Sequence, residues 1–265
     1  MSETKPLHGK KILVTRGREQ ASDFSEKIRK AGGVPIEIPL LSFTYPNRAE
    51  TELFEEIKKA SSFDWLVFTS KNGVDFFFNL FEKLPLQEQK LPRIAVVGSK
   101  TAEALATRGY RADIVPNEFV AEGLVDILKS YVQSNSRIML ARGNLSRKLL
   151  VHELESIGVE VNDLIVYNTV ANENMKEKLV SELPHIDVVT FTSSSTVTYF
   201  LKLIGNTADK LEGIDKMVVA CIGPIAKQTA IESGLRVQIC PSRYTTDNLL
   251  EEIIHYYNQP TKREE

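Results

Sequence analysis

Three turns along the chain gather short polar side chains at close spacing. They are Thr69-Ser70-Lys71-Asn72-Gly73, Gly98-Ser99-Lys100-Thr101 and Thr192-Ser193-Ser194-Ser195-Thr196. Each follows a short apolar run and precedes residues at helical spacing. A hydroxyl in such a place caps a helix, accepting a bond from a free backbone N–H. The same place, the carboxyl end of a parallel strand, is where open α/β sheets bind ligands. Free N–H groups and the positive helix end there favour anions. Each helix dipole contributes only about 0.3–1 kcal/mol, so several must converge on one ligand. Thr69, Ser70, Lys71, Asn72, Ser99, Thr101, Ser193 and Ser194 are therefore both capping residues and candidate anion contacts. Arg16 and Arg142 each end an apolar run and precede a glycine. Either is a salt-bridge partner or a clamp that matches a carboxylate in two bonds. Tyr167 lies in Leu164-Ile165-Val166-Tyr167-Asn168-Thr169. It is a half-buried packing residue or, in a cleft, a proton donor, since a phenol keeps its proton at neutral pH.

Other chemistries leave no trace. There is no GxxxxGK[ST] loop, no GxGxxG after a strand and no GxSxG elbow. His8, His152, His185 and His255 are scattered without metal-ligand spacing, so neither a metal nor a cofactor is expected. Cys221 and Cys240 form no CxxC pair, and Cys221 sits in an apolar run as a small core residue would. The net charge of −2 provides no field to recruit nucleic acid. No apolar run reaches the length of a membrane span, and Met1–Gly9 lacks the apolar core of a signal peptide, which predicts a cytoplasmic protein.

The elements that must position these residues occur twice. Lys11-Ile12-Leu13-Val14-Thr15-Arg16-Gly17 returns as Arg137-Ile138-Met139-Leu140-Ala141-Arg142-Gly143. Asp64-Trp65-Leu66-Val67-Phe68-Thr69-Ser70 returns as Asp187-Val188-Val189-Thr190-Phe191-Thr192-Ser193, Ala95-Val96-Val97-Gly98 as Ala220-Cys221-Ile222-Gly223, and Gly109 as Gly234. The offsets, 123–126 residues in a chain of 265, define two homologous units. Two similar lobes imply a cleft, a preferred ligand site. Apolar content of 42% and charged content of 26% fit a soluble protein of this size.

Within each copy, apolar strands alternate with helical segments. Ile12–Thr15, Trp65–Phe68, Ile94–Val97 and Ala112–Val115 read as strands. Helical spacing follows from Ala21 to Ala31, Val74 to Phe81, Thr101 to Arg108 and Ala121 to Tyr131. The second copy repeats the order, with strands at Ile138–Ala141, Val188–Phe191, Val218–Ile222 and Val237–Ile239. Its helices fall at Leu149–Ile157, Thr196–Leu203, Ala226–Glu232 and Thr246–Tyr257. The alternation predicts an α/β protein of two lobes, each a parallel sheet with helices on both faces. Val34–Tyr45 and Val159–Val170 are longer than one strand needs. Read as crossings between the lobes, they make one lobe discontinuous in sequence.

Several of these segments resemble uroporphyrinogen-III synthases, over almost the whole chain. Phe68-Thr69-Ser70-Lys71-Asn72-Gly73-Val74 is similar to that family's FTSxNGV segment, the most specific of the motifs. Val14-Thr15-Arg16 resembles its opening strand, Val97-Gly98-Ser99-Lys100-Thr101-Ala102 its VGxxTA turn, and Val166-Tyr167-Asn168-Thr169 its VYxT segment. Phe191-Thr192-Ser193-Ser194 and Ile222-Gly223-Pro224 resemble its FTSS and IGP turns. One departure is Ala226, where the family often carries threonine.

The resemblance implies two lobes joined by a two-stranded β-ladder. Residues 1–36 and 171–265 would form lobe one, 42–163 lobe two, and 37–41 with 164–170 the linkers. It implies cyclisation of hydroxymethylbilane to uroporphyrinogen III, with loss of water and inversion of ring D, by a lyase without cofactor. The acetate and propionate arms of that substrate fit a cleft of hydroxyls, helix N-termini and arginines. Arg16, Thr69, Ser70, Lys71, Asn72, Ser99, Thr101, Arg142, Ser193, Ser194 and Gly223 would bind it. Tyr167 would assist departure of hydroxide, from a position between the lobes and outside either core. A monomer is expected, with transient contact to the preceding pathway enzyme and none to membrane or nucleic acid. The rival readings are a two-lobed small-molecule binding protein, which would need an export signal or a DNA-binding head, and a nucleotide-sugar transferase, for which the chain is short.

Overall fold

The computed structural model describes residues 5–48, 50–85, 90–116, 121–205, 214 and 216–259. In chain order the elements are β1 (Lys11–Val14), α1 (Arg18–Lys30), β2 (Val34–Glu37), β3 (Leu41–Thr44), α2 (Glu50–Lys58), β4 (Trp65–Phe68), α3 (Lys71–Phe81), β5 (Arg93–Val96), α4 (Ser99–Thr107) and α5 (Ala121–Leu128). The second half continues with β6 (Arg137–Gly143), α6 (Leu149–Glu155), β7 (Glu160–Ala171), α7 (Lys176–Glu182), β8 (Val188–Phe191), α8 (Ser194–Ile204), β9 (Val218–Cys221), α9 (Pro224–Glu232), β10 (Val237–Ile239) and α10 (Thr246–Asn258).

The chain folds into two compact units, residues 1–42 with 170–265, and residues 43–169. The first unit's sheet has the order β10-β9-β8-β1-β2, and its pairings are parallel. The second unit's sheet has the order β3-β7-β6-β4-β5, with β4, β5, β6 and β7 parallel. Each sheet draws strands from both repeats. β1 of the first repeat lies beside β8 of the second, and β6 of the second lies beside β4 of the first. The halves are exchanged.

Strands β4, β8 and β9 are buried at every position, as parallel strands covered on both faces must be. In the second unit Leu66 and Phe68 face Phe77, Phe78 and Phe81 of α3, while Trp65 and Val67 face Leu124 and Leu128 of α5 and Leu150 and Leu154 of α6. In the first, Leu13 and Val189 face Val197 and Phe200 of α8, while Ile12 and Val14 face Phe24 and Ile28 of α1 and Leu249 and Ile253 of α10. Burying each such side chain contributes roughly 1.5–3 kcal/mol.

Some repeated residues serve only this frame. The Asp187 carboxylate accepts from Lys11 N at 2.8 Å, and the Asp64 carboxylate accepts from Arg137 N at 2.8 Å. The same clasp thus starts the two central strands of each sheet. Likewise the Asp113 carboxylate accepts from Ile94 N, and the Gln238 side-chain oxygen accepts from Val219 N.

Two expectations change. Val34–Tyr45 is not one crossing strand but two, β2 and β3, broken at Ile38-Pro39-Leu40, because proline has no N–H for a ladder. Pro35 is tolerated inside β2 because β2 is an edge strand. Ala112–Val115 shrinks to a single bridge between Ala95 and Ile114. Pro116 follows immediately and can extend no pairing. Val159–Val170 does form one long strand, the twelve-residue β7.

Candidate active site

In the second unit β6 and β7 run in parallel register from Arg137 opposite Glu160 to Arg142 opposite Ile165. The register then shifts, so that Gly143 lies opposite Tyr167. Consecutive residues of a regular strand point to opposite faces. Here Val166 and Tyr167 join the same core cluster, the mark of a bulge that re-aims one side chain. Tyr167 is 7% exposed, with its ring where the side chain of residue 143 would be. A Cβ added to Gly143 would stand 2.4 Å from Tyr167 Cζ and 2.6 Å from its hydroxyl oxygen. Phe43 meets the ring edge-on at 5.7 Å between centroids, and Phe76 lies tilted against it at 5.6 Å. The expectation that Tyr167 stays out of a core is thereby corrected. The bulge and the missing Cβ admit the ring into the unit's own core.

The hydroxyl still finds a polar partner. Tyr167 Oη lies 3.1 Å from Ser70 Oγ, and either can donate. Ser70 caps α3, its Oγ accepting from Gly73 N at 3.0 Å. One Ser70 oxygen thus joins the phenol to the amino-terminal turn of α3. Gly73 allows that turn to seat closely: an added Cβ would lie 3.1 Å from Ala141 O on β6. The preceding Thr69 Oγ1 is shielded from solvent and has no hydrogen-bond partner among the described residues. Lys71 is exposed and Asn72 half-buried on the first turn of α3.

Asn144 closes the other side. Its backbone N donates to Tyr167 O at 3.1 Å, and its side-chain Oδ1 accepts from Thr169 N at 2.8 Å. Arg142 is 3% exposed. It grips Asp163 with two bonds and donates from Nη1 to Gly143 O and Ser146 O, each at 3.1 Å. Its donors tie β7, through Asp163, to the end of β6 and the β6–α6 loop, which suits a brace better than a substrate clamp. Ser99 is exposed at the start of α4, whereas Thr101 is 6% exposed. Thr101 corresponds in the repeat to Ala226, which is also buried at 3%. A hydroxyl at either place is sheltered from solvent.

The first unit holds the remaining candidates. Arg16 is half-buried beyond β1, and burial lowers its pKa, although a guanidinium stays charged throughout the physiological range. Ser193 caps α8 in a reciprocal box with Thr196, and Ser194 opens that helix half-buried. Gly223 is buried beneath Tyr244, whose ring is 3.2 Å from where a Cβ would stand. Thr15 and Thr190 donate to each other's strand, Thr15 Oγ1 to Thr190 O and Thr190 Oγ1 to Leu13 O, each at 2.7 Å. Cys221 is fully buried, and burial pushes its thiol up to about 12, as suits a core residue.

The structure therefore joins Tyr167, Ser70 and the α3 turn into one constellation. Sequence reading missed Gly143, Asn144, Phe43, Phe76 and Arg48. Arg48 Nη2 donates to Ile165 O at 3.3 Å, and its Nε is buried without a hydrogen-bond partner among the described residues. The only sequence signal for Gly143 was its place in the repeat, where Gly17 stands in the other copy.

A family model described as uroporphyrinogen-III synthase HemD matches residues 22–251. The chain belongs to the uroporphyrinogen-III synthase family. It is 34% identical to the uroporphyrinogen-III synthase of Synechococcus elongatus, over 97% of this chain and 98% of that one. It is 33% identical to a putative uroporphyrinogen-III synthase of Methanothermobacter thermautotrophicus, over 90% and 95%. Solved uroporphyrinogen-III synthases share the fold. A mutant of the Thermus thermophilus protein aligns with a TM-score of 0.60 at 16% identity, covering 93% of this chain and 98% of that one. The Helicobacter pylori protein aligns with a TM-score of 0.57 at 17% identity, covering 94% and 99%. Members of this family are enzymes of tetrapyrrole synthesis. No helix among the described residues is long and apolar enough to cross a membrane.

Proposed function

We propose that this protein is a hydro-lyase of tetrapyrrole biosynthesis that cyclises hydroxymethylbilane to uroporphyrinogen III. The observation that carries a mechanism is the Tyr167–Ser70 hydroxyl pair joined to the α3 turn. In this reading the Tyr167 O–H donates its proton to the departing hydroxymethyl oxygen. The pyrrole nitrogen's electron pair expels that oxygen as water. Ring D then attacks the freed methylene of ring A through its substituted α-carbon, giving a spiro intermediate. The bond from that carbon to the ring C methylene breaks, and the free α-carbon of ring D bonds to the released methylene, which closes the macrocycle with ring D inverted. The proton lost as the macrocycle regains aromaticity returns to the phenolate. Ser70 orients the phenol while its own lone pairs also serve Gly73 N.

The carboxylate arms of the bilane suit the donors nearby. Lys71, Asn72 and the positive amino-terminal end of α3 supply local positive potential on a chain of net charge −2. Thr69 Oγ1, lacking a partner among the described residues, would gain one from the substrate, since a buried hydroxyl without one costs about 1–3 kcal/mol. Arg48 is a further cation beside β7. Arg16, Ser99, Ser193, Ser194 and Gly223 are proposed as further contacts, while Thr101 and Arg142 act as packing and bracing residues. Much of the rate would come from holding the folded bilane in reactive geometry.

The test is incubation with freshly prepared hydroxymethylbilane, without metal or cofactor, followed by separation of the isomers. The type III isomer is expected. Type I alone, the product of spontaneous closure, would refute the proposal.

A further inference from the structure

We propose that Gly143 and Asn144 are positioning residues for the reaction, Gly143 by leaving room for the Tyr167 ring and hydroxyl and Asn144 by holding the strand that carries them. The inference rests on the reading of Tyr167 as the proton donor. Its ground is the geometry at the end of β6. The ring of Tyr167 occupies the space a side chain at 143 would need, with contacts of 2.4, 2.6 and 2.7 Å to an added Cβ. Real Cβ contacts do not fall below about 3 Å, so even alanine would drive the phenol outward by most of an ångström. Phe43 and Phe76 pack against the same ring. The displacement would fall on the Tyr167–Ser70 bond.

Asn144 holds the strand that carries the ring. It takes the carbonyl of Tyr167 through its backbone and the amide of Thr169 through its side chain. Those two bonds hold β7 just beyond the bulge, at Tyr167 and Thr169, where the register of the β6–β7 ladder has shifted. The side chain of Asn144 is exposed, so losing its acceptor removes little packing.

The other repeat supplies the control. Gly17 stands where Gly143 does, after the matching arginine, yet nothing lies within 4 Å of an added Cβ there. Its φ of −59° suits any residue. The glycine is required by the phenol at 143 and not at 17.

The experiment compares steady-state kinetics of five variants with wild type: Gly143→Ala, Gly17→Ala, Asn144→Ala, Asn144→Asp and Tyr167→Phe. A misplacement of about 1 Å can cost roughly 100-fold in rate. Gly143→Ala is therefore expected to lower kcat by about 10- to 100-fold, no further than Tyr167→Phe, with KM little changed. Gly17→Ala should stay near wild type. Asn144→Ala should lower kcat several-fold, and Asn144→Asp, which keeps an acceptor for Thr169 N, should restore it. If Gly143→Ala fails to fold, the Asn144 pair carries the test alone. A fall for Tyr167→Phe with wild-type kcat in Gly143→Ala, or in Asn144→Ala, would overturn the positioning role. Equal losses in Gly17→Ala and Gly143→Ala would do the same. Wild-type kcat in Tyr167→Phe would instead overturn the reading of the phenol as acid.

Discussion

Asp163→Ala separates a brace from a clamp at Arg142. Arg142 is nearly enclosed, with its side chain 4% exposed, and Asp163 is partly open at 27%. Removing one partner of a fully buried ion pair costs about 3–5 kcal/mol, because the remaining charge is stranded. Two features reduce that here. Water reaches the aspartate's side, and Arg142 Nη1 keeps the carbonyls of Gly143 and Ser146. A loss of about 2–3 kcal/mol follows from discounting the buried value for this exposure. In a unit of residues 43–169 that corresponds to a fall in Tm of roughly 6–15 °C. Scanning calorimetry would read it as an earlier transition of one unit, since a two-unit chain need not melt in one step. Arg142→Met with Asp163→Leu should recover most of the loss, as apolar replacement of a buried pair is often neutral. Activity at 25 °C should remain within a few-fold of wild type in Asp163→Ala, because Gly143 and Ser146 stay tied. A tenfold or larger rise in KM with an unchanged Tm would refute the reasoning and return Arg142 to the substrate.

Arg16→Ala should weaken substrate use mainly through KM, by about 1–3 kcal/mol for one charge-assisted bond; unchanged kcat/KM with lowered stability would make Arg16 structural. Phe77→Ala, in the aromatic cluster with Phe68, Phe78 and Phe81, should cost about 3–5 kcal/mol by urea titration, and a loss below 1 kcal/mol would mean that cluster is loosely packed. Burial raises Tyr257 from 10.0 to about 12. A raised pKa means the folded state resists ionisation, so its stabilising contribution is complete below pH 10 and is lost as pH rises from 10 to 12. Stability followed over that window should fall less steeply in Tyr257→Phe, and identical slopes would exclude the effect. Cys221, raised to about 12 by the same cause, should resist thiol reagents at pH 8 while the half-buried Cys240 reacts; equal labelling rates in the native state would count against it.

What was legible in the sequence depended on local periodicity. The strands that are buried at every position, β4, β8 and β9, show as unbroken apolar runs. The capping roles of Ser70 and Ser193 follow from hydroxyls placed three residues before a buried amide. The paired turns at Thr69 and Thr192 follow from the repeat. Contacts made across the sheet were not legible. Nothing in Arg137–Gly143 announces that Gly143 will lie under a tyrosine 24 residues later, because that depends on a one-residue shift in a parallel ladder. Nor does the spacing of Arg142 and Asp163 suggest their pairing, which needs β6 and β7 to be neighbours in register. The core position of Tyr167 escaped for the same reason: alternation along β7 places it opposite Val166, and the bulge cancels the alternation.

The exchange of halves has a consequence for synthesis. The second unit is continuous, so a ribosome can release it complete once residue 169 has emerged. The first unit cannot close then, because β1 bonds to residues about 176 positions later. At about 5–20 residues per second, β1, α1 and β2 wait some 10–35 s for β8. During that wait β4 appears, with an open edge reserved for β6. Lys11-Ile12-Leu13-Val14-Thr15-Arg16-Gly17 so resembles Arg137-Ile138-Met139-Leu140-Ala141-Arg142-Gly143 that β1 can occupy that edge first. Each repeat would then fold on itself. The nascent chain thus meets a fork at β4, and the native branch is the one whose partner strand arrives last.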